Sequence, residues 1–68
     1  MIILVSPNGD VANYINGVLS LSDGDLVMKV PGLPTVIIAT DDHAVRCMRY
    51  YTTILKRGDR FVDLRMVK

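Results

Sequence analysis

The 68-residue chain has no tryptophan, no glutamate and no glutamine, and only one phenylalanine and one cysteine. Each scarcity excludes something. A single thiol, Cys47, cannot close an internal disulfide, whereas small secreted domains lean on several. The cytosol is therefore the expected compartment. Glu and Gln suit helix interiors, while Asp, which supplies all seven acids, suits caps and turns. The composition therefore tilts towards strands and turns, with little helix. Aromatics are too few for a base-stacking sheet of the kind that reads single-stranded RNA: "IILVS" has none and "RFVDLRMV" has only Phe61. No apolar run approaches the roughly 18 residues of a membrane span. The opening "MIILVSPNGD" has no basic stretch and stops being apolar after Val5, which is too short for a signal peptide.

What is present suffices for one small globular domain over residues 1–68. Half of the residues are hydrophobic and 22% are charged. A chain of this length buries only about 60% of the surface that its unfolded form exposes, so its core is marginal and association is a natural source of extra stability. There is no internal repeat, linker or low-complexity segment.

Turn signals divide the first half: "PNGD" at 7–10, "NG" at 16–17, "SDGD" at 22–25 and "PGLP" at 31–34. Asn-Gly and Asp-Gly favour two-residue hairpin turns, because both central positions need positive φ. The short apolar runs between them, Ile2–Val5, Val11–Ile15, Val18–Leu21, Leu26–Val30 and Thr35–Ala39, read as an antiparallel meander. "TVIIA" is apolar on both parities and is expected to be covered on both faces. A rival reading makes residues 10–21 a helix capped by Asp10, with Val11, Tyr14, Ile15, Val18 and Leu19 as its stripe. The chain would then follow the ferredoxin-like order βαββαβ.

The helix over 41–57 is the firmer one. Thr40 or Asp41 can cap it, Asp41 and Asp42 suit the positive end of its dipole, and Lys56, Arg57 and Gly58 suit its end. Its apolar stripe is Ala44, Met48, Tyr51 and Leu55, flanked by Val45, Cys47 and Ile54. The strand "RFVDLRMV" is expected to follow, with Val62, Leu64 and Met66 on one face. The fold class is thus α+β: a small antiparallel sheet of short strands packed by one main helix, then a final strand.

Charge is uneven. The whole chain carries +1, yet residues 43–60 hold five of the eight basic residues. At helical spacing Arg46, Arg49, Tyr50, Thr53, Lys56 and Arg57 fall opposite the apolar stripe, and Arg60 and Arg65 extend the patch. Arg offers planar multidentate donors and Tyr offers contact area, the residue types that dominate interface hot spots. An ordinary solvated face explains the same residues, with Asp42 and Arg46 spaced for an i,i+4 ion pair.

Other candidate chemistry is thinner. His43 and Cys47 lie four apart on one helix face and could form half a metal site or a thiolate–imidazole dyad, but a zinc site needs at least three protein ligands. The Asp pairs sit where turns and caps want them. "DGD" lacks the rest of a calcium loop, "RGD" falls at a helix end, and "SPNGD" lacks the glycine spacing of a phosphate loop. No catalytic residue, metal site or cofactor is assigned.

No run of residues marks a family. In size and class the chain resembles the small accessory proteins that phages make to bind and block host machinery. The expectation is a non-enzymatic protein-binding module, an inhibitor or regulator that docks through the basic helix face on a larger complex, including one that handles nucleic acid. Its partner is expected to be a protein with an acidic surface, and exposed strand edges give a second route to a partner or to a homodimer. The alternative is a nucleic-acid-binding protein that uses the same face.

Overall fold

The computed structural model describes residues 2–14 and 17–68. The chain is α+β, with strands β1 (Ile2–Val5), β2 (Val11–Tyr14), β3 (Val18–Ser22), β4 (Asp25–Lys29) and β5 (Val36–Thr40), helix α1 (Asp41–Lys56), strand β6 (Phe61–Asp63) and a 3₁₀ turn over Leu64–Met66. The helical, ferredoxin-like reading of residues 10–21 does not hold, since β2 and β3 are strands on either side of Gly17; the expected hairpin between them is not formed either, because β2 and β3 pair in different sheets. Glycine in a helix interior costs about 1 kcal/mol relative to alanine, and the flanking residues are rich in β-branched types. Asn16 of the expected Asn16–Gly17 turn lies outside the described residues, as does Ile15.

The strands form two three-stranded sheets rather than one. Sheet β3-β4-β5 is the antiparallel meander. Its first turn is fixed by local chemistry: Asp23 and Gly24 both have positive φ, 51° and 83°, which brings Ser22 opposite Asp25. In the second sheet, β2-β1-β6, β1 pairs antiparallel with β2 and parallel with β6. That parallel pair departs from the purely antiparallel expectation. Parallel neighbours need a long connection, and here it is the whole chain between β1 and β6, α1 included. The β1–β2 turn also differs from a two-residue Asn-Gly turn. Gly9 alone has positive φ there, the Gly9 amide donates to the Ser6 carbonyl at 2.9 Å, and the Ser6 amide donates to the Asp10 carbonyl at 2.8 Å. This is a three-residue loop, with Pro7 setting its first dihedral.

One core joins the sheets and the helix. Leu26 and Met28 of β4, Leu19 of β3 and Ala39 of β5 are buried with Ala44, Cys47, Tyr51 and Ile54 of α1, with Leu4 and Val62 from the other sheet, and with Leu64 of the 3₁₀ turn. β4 is the best-shielded strand, because Leu26, Val27 and Met28 are all buried. β5 is not covered on both faces as "TVIIA" suggests. It is an edge strand with a register irregularity that leaves Ile38 without a partner, and Val36 and Ile37 stay 49% and 60% exposed. The last strand is shorter than expected. It ends at Asp63, whose carboxylate accepts a hydrogen bond from the Arg65 amide at 3.0 Å and turns the chain into the 3₁₀ segment. Leu64 is thereby buried, while Met66, expected on the same face, is exposed.

Burial sets a prediction. Leu26→Ala should lower the unfolding free energy by about 2–5 kcal/mol, as deletion of a buried leucine usually does. Ile37→Ala should change it by no more than about 0.5–1 kcal/mol. Urea denaturation of both variants measures the difference; equal losses would contradict the burial of β4 over β5.

Candidate protein-docking face

Helix α1 begins after Thr40, an extended residue whose side chain makes no capping hydrogen bond, and Asp41 adopts a positive φ of 52°. The expected side-chain cap is therefore not formed. Asp41 and Asp42 nonetheless lie in the first turn, where the helix dipole favours negative charge. At the other end Arg57 is the cap residue, one position beyond the last helical residue, and the Gly58 amide donates to the Leu55 carbonyl at 3.0 Å.

The helix is rolled relative to the expected stripe. Its buried residues are Ala44, Cys47, Tyr51 and Ile54, whereas Met48 and Leu55 are half-buried and Val45 is exposed. At 3.6 residues per turn this shifts the centre of the buried face by roughly 50°. The roll brings Cys47 and Ile54 into the core and half-buries Tyr50, which packs against it. It also leaves the Val45–Met48 flank uncovered. There, Val45, Met48, Arg49, Thr52 and Thr53 line an open groove of about 470 Å³ with Leu21 of β3.

The basic residues are placed as follows. Arg46, Arg49, Lys56 and Arg57 are exposed on one side of α1, and Arg60 is exposed just beyond its end. Thr53 lies among them, with its hydroxyl donating to the Arg49 carbonyl at 2.9 Å. Tyr50 borders the patch with only part of its ring free. Arg65 stands apart, held to Asp63 by an ion pair at 2.8 Å and a second hydrogen bond from Nε at 3.0 Å. This is the one ion pair among the described residues, and the Asp42–Arg46 pair that the spacing allows is not made. The groove beside the patch was not legible in the sequence, since it depends on the helix roll. The apolar character of Val45 was the only local sign of it.

His43 is half-buried, and Cys47 lies within the core rather than in an open site. Cys47 is fully buried, and that desolvation pushes its thiol above the usual value, against a smaller opposing pull from Arg46. Nε2 of His43 is enclosed without a hydrogen-bond partner. No three potential metal ligands cluster among the described residues. Among the described residues no helix is long and apolar enough to cross a membrane.

Comparison with family models, curated proteins and solved structures finds no match. The reading of this face therefore rests on its own geometry.

Two measurements follow. The Cys47 thiol should resist alkylation in the native protein and react at the rate of unfolding, so labelling should accelerate with urea in step with loss of structure; fast labelling without denaturant would place the thiol at the surface. The hydrogen bonds from Arg65, together with its charge, hold the Asp63 carboxyl below its usual range. A carboxyl lowered by folding stabilises the native state above its unfolded-state pKa, and that contribution disappears as pH falls through the folded value. In a carboxyl NMR titration, Arg65→Ala should move the Asp63 midpoint upward, and an unmoved midpoint would contradict the pairing.

Proposed function

We propose that this chain is a non-enzymatic protein-binding module, a small inhibitor or regulator that occupies a surface on a larger complex through the basic face of α1. The observation that carries the reading is the set of exposed, unneutralised cations Arg46, Arg49, Lys56 and Arg57, with Arg60 beyond them, none in an ion pair among the described residues. The helix dipole accounts for the cations at its C-terminal end, because its influence falls off within one turn. It does not account for Arg46 and Arg49, which lie nearer the middle. Two arginines on a rigid helix offer pre-organised donors for carboxylates, and the half-exposed Tyr50 adds contact area. The partner is accordingly a protein with an acidic surface. Inhibition or regulation fits a chain of 68 residues, which can block a surface without contributing chemistry of its own.

A pull-down with tagged protein, run with and without nuclease and beside an Arg46→Glu, Arg49→Glu variant, tests the reading. A protein complex should be retained after nuclease and lost in the variant, while the variant keeps the native circular dichroism. Retention that vanishes with nuclease would replace this reading with phosphate binding, and binding that persists in the folded variant would remove the basic face from the interface.

A further inference from the structure

The groove beside the basic face has features that narrow the partner's chemistry. Its apolar lining is Leu21, Val45 and Met48. Thr52 and Thr53 also line it, but their hydroxyl protons are already donated to the helix carbonyls of Met48 and Arg49, at 3.0 and 2.9 Å. The groove therefore offers few free donors apart from Arg49, whose guanidinium is exposed and makes no ion pair among the described residues. Along one side runs β3, the outer strand of its sheet, which is paired only with β4. A strand laid beside β3 would extend the sheet beneath the uncovered flank of α1, with alternate side chains facing the groove.

Resting on the proposed protein-docking role, we infer that this groove receives an extended acidic segment of the partner, with one bulky apolar side chain seated among Leu21, Val45 and Met48 and a carboxylate on Arg49. Charge complementarity selects the occupant. The cations next to the groove disfavour a basic or strongly polar segment, and the apolar lining gives nothing to a segment of acids alone. The volume of about 470 Å³ leaves room for a large side chain, and strand pairing along β3 supplies backbone hydrogen bonds independent of sequence.

Amide NMR titration tests this with two ten-residue peptides of equal acidic charge, one with a central Phe and one with Ser in its place. The Phe peptide should shift the amides of Leu21, Val45, Met48 and Thr52, and should bind about tenfold more tightly than the Ser peptide, the factor expected for burying a large apolar side chain in part. Leu21→Ser should remove most of that difference, and Arg49→Glu should weaken the Phe peptide with the other amides unmoved. Equal binding of both peptides, with shifts confined to Arg46, Arg49, Lys56 and Arg57, would overturn the groove and leave the basic-face reading intact. Absence of binding by either peptide at millimolar concentration would also overturn the groove, and the pull-down decides the basic face separately.

Discussion

The structure depends on keeping β4 dry. Leu26 and Met28 need cover on the helix side of their sheet, and a chain of 68 residues has one long helix among its described elements to provide it. That requirement fixes how α1 rolls. Ala44, Cys47, Tyr51 and Ile54 form a narrow strip of small and large side chains that seats closely on the sheet, and Leu4, Val62 and Leu64 close the remaining side. Once that strip faces inward, every other helical residue has its place. The cations point to solvent, and the Val45–Met48 flank overhangs the β3 edge.

This explains why parts of the molecule were legible in its sequence and others were not. The Asp23–Gly24 hairpin and the span of α1 follow from chemistry within a few residues: left-handed dihedrals in one case, apolar spacing and a terminal glycine in the other. Strand partnership between β1 and β6 is a contact between the two ends of the chain, and no local pattern encodes it. The "TVIIA" run misleads because hydrophobicity records a capacity for burial, while its position at a sheet edge leaves Val36 and Ile37 exposed. The helix roll was hidden for a subtler reason. Both Ala44–Met48–Tyr51–Leu55 and Ala44–Cys47–Tyr51–Ile54 satisfy helical spacing, and the choice belongs to the packing surface. The basic residues could be placed on one face from spacing alone, but the groove beside them could not.

Electrostatics divides the arginines into two kinds. Arg65 is satisfied locally, since Asp63 takes its guanidinium and also shapes the turn that buries Leu64, so charge and packing cooperate within three residues. Arg46 and Arg49 have no such internal role. An exposed ion pair at i,i+4 contributes only about 0.3–0.5 kcal/mol, too little to hold Asp42 on Arg46 against side-chain entropy. The two guanidiniums therefore remain available on the solvent side of α1.

The same cations bear on a hazard that the fold creates. An edge strand such as β3 can pair with another copy of itself, and a marginal core makes such pairing attractive. Two copies meeting along their β3 edges would bring two Arg49-bearing flanks together, and like charges at an interface cost several kcal/mol when brought into close juxtaposition. An acidic strand meets the same flank with the opposite sign. A single arrangement of charge thus discourages self-pairing at β3 and favours a complementary partner there. The β5 edge, with Val36 and Ile37 exposed and no basic residue of its own, lacks that protection. The two outer strands of one small sheet thus differ in the charge beside them, with Arg49 flanking β3 and no cation on β5.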